Sequence, residues 1–534
     1  MGRGAGHLAG AVVAALAVAL AIPASAVASE RFPDGVTAAE IKPHSAILWT
    51  RVSHAGPVRA DVSTSTSRFR RILQRRHLTA RAKDANTVEV KIRGLEASRA
   101  YRYRFCVPAH HPARCSRGGL FTTAPSPSAD IPISFAYSGD ETAVAEPGHS
   151  NPFWGDMKAF ESMAHEPNNF NIDFGDTIYS DPEVPGANTA LSVKAKWRMY
   201  RKKLSIQNMR QVRAGTGMYD HWDDHEFIND FSIPENGRKL YDRGKRAFRD
   251  FEPVDYNKKT GIYRTFRWGK NLELFFLDER SFRSAKASAN GACDNPDTHQ
   301  PDLAPTAPQS KRNFFAALIP SLANPVSRKC KNRINSPNRT FLGDPQFHRF
   351  LRDVRRSKAR WKVVMNEDPI QQFYGLPYDR WEGYAYERVK LLKALERSNV
   401  NHLVFLTTDT HAAFANVVRL RTLTGDVAPS NAPTTAPADT PFQDFVIGPV
   451  ATRPFWQEID ATTGTPNSGK LLSQLFFKLQ PQAGVGMACA QGNQNSYAEV
   501  TVTRGTLRVA YKDENGNTVK DVDGTTNCGP YLLH

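Results

Sequence analysis

Long apolar runs are scarce in this 534-residue chain: beyond residues 8–22, no stretch stays apolar for long enough to cross a bilayer. Cysteine is equally sparse, with six residues and no CxxC spacing, which argues against zinc ribbons and dithiol redox chemistry. Internal repeats, heptads and Gly-X-Y periods are missing, so coiled-coil, collagen-like and low-complexity architectures are excluded. Acids are outnumbered, 53 Asp and Glu against 70 Lys and Arg, leaving a formal charge of +17. That balance favours anionic partners: phosphates, polyanionic wall polymers, nucleic acid or acidic lipid. What is present, 40% hydrophobic and 10% aromatic residues, is the composition of a folded globular protein. The length suits two or three domains, each able to bury its own core.

The amino terminus reads as an export signal. Arg3 supplies a basic start, residues 8–22 an apolar run, and Ala24-Ser25-Ala26 a small-residue cleavage site, with Ala28 a near alternative. Residues 1–26 are therefore expected to be removed, by general secretion rather than the twin-arginine route because Arg3 is the only arginine there. A soluble, extracellular product follows, and export permits disulfides. Cys106, Cys115, Cys293, Cys330, Cys489 and Cys528 allow fifteen connectivities, of which neighbour pairing is expected because each pair encloses a loop-rich stretch.

Between residues 35 and 123, short strands alternate with turns at the spacing of a β-sandwich. Gly94, Leu95, Tyr101 and Tyr103 resemble the leucine and tyrosine corner of a fibronectin type III-like module. The Pro and Ser-rich residues 124–129 form a linker, giving an all-β domain over 27–127 and a second domain over 128–534. There, apolar strands alternate with amphipathic helices predicted at 153–165, 191–209, 237–251, 345–357 and 383–398, so a layered α/β fold is expected. The third helix is strongly basic, and a solvated face is the simpler reading than a polyanion stripe. Residues 422–440, rich in Pro, Thr, Ala and Ser, read as an excursion loop.

The chemistry is concentrated where apolar strands stop. Six strands run into Ser138-Gly139-Asp140, Gly175-Asp176, Trp222-Asp223-Asp224-His225-Glu226, Asp278-Glu279-Arg280, Asn366-Glu367-Asp368 and Asp409-Thr410-His411. One such aspartate is an ordinary turn or helix cap. Six endings together predict a single cleft at the carboxyl ends of the strands. Clustered carboxylates repel unless cations hold them, and oxygen ligands with one or two imidazoles suit iron, manganese, calcium or zinc. Paired metals would generate a hydroxide nucleophile and clamp the oxygens of a displacement at phosphorus.

The ordered motifs Gly175-Asp176-Thr177-Ile178-Tyr179, Trp222 to Glu226, Leu277 to Arg283 and Thr408 to His411 resemble the alkaline phosphatase D (PhoD-like) family of calcineurin-like metallophosphoesterases. Leu342 to Gln346, Trp361 to Glu367 and Trp381 to Tyr384 support the resemblance, which spans roughly residues 35–510. It implies a metallophosphoesterase sandwich preceded by a fibronectin-like domain. It further implies that Asp176 bridges the metals, that Tyr179 binds iron, and that Asp224, Asn366, Asp409 and His411 complete the ligands. His225 would be the catalytic acid or charge stabiliser at the leaving oxygen. Arg280 is assigned to the substrate phosphate because a guanidinium makes bidentate phosphate contacts. Ferric iron and calcium are the implied cofactors.

The first motif departs from the family, whose members often carry Ser-Cys-Gln where this chain has Ser138-Gly139-Asp140. A carboxylate from Asp140 in place of the thiolate is expected, which leaves the metal's identity open. The resulting expectation is a monomeric, secreted hydrolase of phosphomonoesters or phosphodiesters. Its substrate would be a small molecule, a phospholipid or a wall polymer, with no specific nucleic acid. A phospholipase D-like or teichoic-acid diesterase is the enzymatic alternative. A surface-binding protein with a degraded catalytic fold is the non-enzymatic one.

Overall fold

The computed structural model describes residues 31–107, 114–423, 438–479 and 484–534. The expected signal peptide lies outside the described residues, as does most of the 422–440 excursion.

Among the described residues, two large sheets face each other. One has nine strands in the order Tyr531–Leu533, Leu507–Asp513, Ser496–Val502, Ile133–Ser138, Phe170–Phe174, Gly217–His221, Val36–Lys42, Ser45–Arg51 and Thr87–Arg93. The other has seven: Arg264–Trp268, Leu272–Phe276, Trp361–Asn366, Leu403–Thr407, Ala438–Val446, Ala413–Arg421 and Cys489–Gln491. Strand alternation explains how they stack. Phe170, Ile172 and Phe174 of the first sheet meet Leu272, Leu274 and Phe276 of the second in one core. The opposite faces carry helices. Lys158–His165, Val193–Ser205, Gln207–Gly215 and Arg238–Phe251 cover the first sheet, and Asp344–Arg356 and Ala385–Arg397 the second. The layered α/β architecture read from the sequence is thus present.

The central strands of both sheets are parallel, Ile133–Ser138 with Phe170–Phe174 and Gly217–His221, and Leu272–Phe276 with Trp361–Asn366 and Leu403–Thr407. Six carboxyl ends therefore open at one edge of the sandwich. Thr408 stitches the sheets together there, its hydroxyl donating to the Phe174 carbonyl at 2.9 Å.

The amino-terminal strands form a β-sandwich of their own. Gly56–Thr64, Gln74–Ala80, Ala100–Val107, Arg114–Cys115 and Gly119–Thr122 make its second sheet. The tyrosine corner is formed: the Tyr101 hydroxyl accepts the Glu96 N–H at 2.9 Å. The sandwich is also joined to the rest of the chain, because Val36–Lys42 pairs in parallel with Gly217–His221.

Two helix expectations shift. The segment expected to be one helix over 191–209 is two, because β-branched Ile206 adopts extended backbone (φ −69°, ψ 131°) between Val193–Ser205 and Gln207–Gly215. The first helix starts only at Lys158, after Met157 takes a left-handed conformation (φ 58°). The three disulfides pair Cys106 with Cys115, Cys293 with Cys330 and Cys489 with Cys528, as neighbour pairing anticipated.

Beneath the nine-stranded sheet lies a closed ionic network. Lys203 reaches Glu141 at 2.8 Å, Asp173 at 2.9 Å and Glu252 at 3.4 Å, and Arg213 pairs with Glu252 and, at 3.6 Å, with Asp220. All six side chains are buried. Burial opposes the charge on Lys203, but Asp173, Glu141 and Glu252 more than offset it and raise its pKa.

Candidate metal centre

Each site residue is presented by a tight turn directly after its strand. Asp140, Asp176, Asp409 and His411 have φ of 62°, 50°, 68° and 52°, in the left-handed region that non-glycine residues avoid. Such conformations cost about 1–3 kcal/mol each and persist where the surrounding structure enforces them. Glycines make the turns possible. A Cβ on Gly139 would lie 2.5 Å from the Phe174 carbonyl oxygen and 2.9 Å from Thr408 Cγ2, and one on Gly175 would lie 3.0 Å from Asp223 Cβ. No side chain fits at 139 without displacing Phe174 or Thr408, so residue 139 supplies no ligand here, while Asp140 beside it offers a carboxylate.

The turns bring ligand-type atoms together in linked groups. Asp140, Asp176 and His411 offer atoms within 4.8 Å of one another, as do Asp176, Asp224 and His225, and Asp223, Asp224 and Asp409. Asp176 belongs to the first two groups and Asp224 to the last two, so the groups form one continuous acidic floor. Several oxygens on it have no hydrogen-bond partner although buried: Asp140 Oδ2, Asp223 Oδ2 and Asp224 Oδ1. Burial, then neighbouring carboxylates, raises the pKa of Asp176 well above the usual carboxylate range. For Asp140 and Asp223 burial is again the leading cause of a raised pKa, though an N–H donor at Asp140 and Arg280 at Asp223 oppose it. Orphaned, crowded carboxylates are the donor set that a hard or borderline cation satisfies. The cysteines are all in disulfides, so the set is free of sulfur.

The histidines are poised differently. His411 Nδ1 faces the Arg453 carbonyl at 2.7 Å and its Nε2 faces the Tyr179 hydroxyl at 2.8 Å. Burial lowers its pKa to about 4, so the ring is neutral and Nε2 carries a lone pair, the form that binds metal. His225 stacks on Tyr179, ring centroids 4.0 Å apart, with Nδ1 held by Asp181 at 2.7 Å. Burial opposes its charge, but Asp224, Asp181 and Glu183 outweigh that and raise it to about 10. Its backbone N–H donates to Asp176 Oδ1 at 3.0 Å, tying the two motifs together. Glu226 completes the tie by accepting the N–H groups of Thr177 at 2.6 Å and Asp223 at 2.8 Å.

Two sequence assignments look different in three dimensions. Arg280 is fully buried rather than open to a substrate. Its Nε pairs with Asp223 and its Nη1 with Asp379, and Nη2 lies 3.3 Å from Asp368 and 3.8 Å from both Asp224 and Asp409. A guanidinium enclosed by carboxylates neutralises the floor, with Nη2 the one of those nitrogens that has no hydrogen-bond partner. Asn366 is also occupied: its amide nitrogen donates to the Asp368 carbonyl and its oxygen accepts from Trp381 Nε1 at 3.1 Å. Sequence reasoning did not single out Asp181 or Asp379. Asp181 lies two residues beyond Tyr179 in the same turn, a signal available in hindsight. Asp379, 99 residues after Arg280, carries none.

Behind the floor, Lys196 is buried, its ammonium donating to the Ser180 hydroxyl and, at 3.0 Å, to the Phe227 carbonyl. Burial lowers its pKa to about 7. Between about pH 7 and 10 the unfolded chain therefore binds more protons at this lysine than the folded one, so folded stability rises with pH across that window. Relative to Lys196→Met, the native chain should gain stability between pH 7 and 9.5 in denaturant titrations. A difference that is flat or shrinks with pH would contradict this account.

A layered α/β sandwich with a buried, carboxylate-rich candidate metal centre at its strand ends is the class that this fold and site define. The PhoD-like phosphatase profile matches residues 143–511, and that of the PhoD-like phosphatase N-terminal domain matches residues 17–125. The chain belongs to the PhoD-like phosphatase family. It is 25% identical over 430 residues to alkaline phosphatase D of Bacillus subtilis (strain 168), an alignment covering 72% of this chain and 65% of that protein's length. The solved structure of PhoD superposes with a TM-score of 0.67 at 19% identity, covering 94% of this chain and 89% of the other. Purple acid phosphatase PPD1 from yellow lupin (Lupinus luteus) seeds gives 0.52 at 11%, covering 92% and 74%. At these identities the two structures speak to the fold.

Proposed function

We propose that this protein is a secreted, metal-dependent phosphoesterase that hydrolyses phosphomonoesters, phosphodiesters or both. The observation that carries the reading is the set of buried oxygens on Asp140, Asp223 and Asp224 that lack a hydrogen-bond partner, in groups linked to Asp176 and His411. Asp140, Asp176, Tyr179, Asp224, Asp409 and His411 would hold the cations, with Gly139 leaving the family's cysteine position without a ligand. Bound cations supply Lewis-acid chemistry, acidifying water and neutralising charge on phosphoryl oxygens. His225, charged and oriented by Asp181, stabilises the leaving oxygen or donates its proton. Asp181 fixes which ring nitrogen faces the floor. Arg280 balances the acidic floor from below.

Ferric iron and calcium are the cofactors the family resemblance suggests. The oxygen-rich donor set also accommodates other hard or borderline metals. The three disulfides support export into an oxidising compartment. No described helix is long and apolar enough to cross a membrane. The test is elemental analysis of the purified protein together with rates on a chromogenic phosphomonoester and its diester. Chelation should abolish both rates and metal return should restore them. Metal content near zero with activity retained would sink the proposal, and the ratio of the two rates assigns the preference.

A further inference from the structure

The chain's positive charge is unevenly placed. Residues 31–127 contain 18 Lys and Arg against six Asp and Glu, so under a fifth of the chain carries +12 of its +17. The imbalance is greater still at the surface. Asp34, Glu40 and Asp61 are buried, Asp34 against Arg51 and Glu40 against Arg264.

The third of these acids organises a cationic face. On strand Gly56–Thr64, Ala60 and Val62 point into the core, while Arg59 and Asp61 lie on the outer side. The register sets Arg75 and Arg104 directly across from Asp61 on the two flanking strands. Three guanidiniums consequently surround one carboxylate, Arg59 at 3.0 Å, Arg75 at 3.1 Å and Arg104 at 3.4 Å. Asp61 fixes their positions yet neutralises a single charge. Arg75 remains 50% exposed, and Arg104 lies over the Phe69 ring at 4.4 Å. Arg70 and Arg71, exposed in the adjoining turn, and Arg102 on the same strand as Arg104 extend the cationic area.

We propose that this outer face of the amino-terminal sheet is a docking surface for a linear anionic polymer that carries phosphate groups at intervals and no bases. Pre-positioned guanidiniums suit phosphate oxygens, and a row of them suits a chain of such groups better than a single small ester. The face offers little for base stacking. Tyr101, Tyr103 and Phe105 of the central strand all point into the core, and Phe69 is covered by Arg104, so no described Phe, Tyr or Trp offers a stacking platform there; the exposed ring on that side is the imidazole of His77, across from Arg59. None of these arginines belongs to the strand-end groups, and binding to them does not require hydrolysis.

The experiment is fluorescence anisotropy with labelled poly(glycerol phosphate) and labelled inorganic polyphosphate, using the full chain carrying Asp176→Asn so that no probe is consumed. Binding is expected, weakening about 20-fold between 50 and 200 mM salt for three phosphate contacts. Adding Arg70→Glu, Arg71→Glu and Arg102→Gln should lower affinity at least 10-fold. In the otherwise native chain the same three changes should leave the rate on a chromogenic ester and the circular dichroism spectrum unaltered. Tighter binding of one polymer than the other identifies the phosphate source. Unchanged affinity in the triple variant, or single-stranded DNA competing at equal or lower concentration, would overturn the proposal. Loss of the hydrolytic reading would leave these binding results standing.

Discussion

Asp176→Asn should lower the hydrolytic rate by at least about 10³-fold, which corresponds to about 4 kcal/mol of transition-state stabilisation. The substitution preserves size and leaves an oxygen to accept the His225 N–H, the 3.0 Å contact that ties the second and third motifs. What it removes is charge. Asp176 is shared by the group containing Asp140 and His411 and the group containing Asp224 and His225, so one neutral amide weakens cation binding on both sides. A positioning residue would behave otherwise: losing an outer partner of a metal ligand costs about 10–100-fold. Single-turnover rates and metal content on the same preparation separate the cases. Full metal content with native activity in Asp176→Asn would remove the site from consideration, whereas loss of metal with loss of rate supports it.

Lys203→Met should be the most destabilising single substitution outside the site, by about 3–5 kcal/mol, because it removes one partner of a buried ionic network and leaves the others charged. Methionine keeps the length of the stem and fills the space, so the loss reports charge rather than packing. Three carboxylates, Glu141, Asp173 and Glu252, lose their shared cation, leaving Arg213 as the remaining one beside Glu252 and Asp220. Equilibrium denaturation measures the change. Adding Glu141→Gln to Lys203→Met should recover part of it, since neutralising an uncompensated acid relieves the cost. A fall below 1 kcal/mol would show that the acids protonate or rearrange at little expense. Glu141 follows Asp140 directly, so this network also anchors the first ligand turn from beneath.

The catalytic sandwich was legible in the sequence because parallel strands place their carboxyl ends at one edge, and each strand there is short, apolar and punctuated by Gly or Asp. Asp140, Asp176, Asp224, Asp409 and His411 all lie at strand ends that this rule picks out, the family resemblance gave them their roles, and the structure gathers them. Arg280 shows where the rule stops. A strand-end arginine reads as a phosphate ligand, but the rule says nothing of the counterions that enclose it, Asp223, Asp368 and Asp379, which come from three separate loops. Periodicity identifies which face a residue occupies, not which distant charge meets it. The same limit hid Lys203, one of several lysines and arginines along the helix Val193–Ser205. The cysteines were easier, because nearest-neighbour pairing needs only that each loop fold back locally.

The parallel pairing of Val36–Lys42 with Gly217–His221 has a consequence for how the chain is made. A strand near the start of the polypeptide finds one of its partners only after roughly 180 more residues are synthesised, an interval on the order of 10 s at typical elongation rates of about 5–20 residues per second. Until then one side of that strand offers unpaired backbone donors and acceptors, the exposed edge that invites association with other chains. The amino-terminal strands therefore carry an open seam that has to stay free for Gly217–His221.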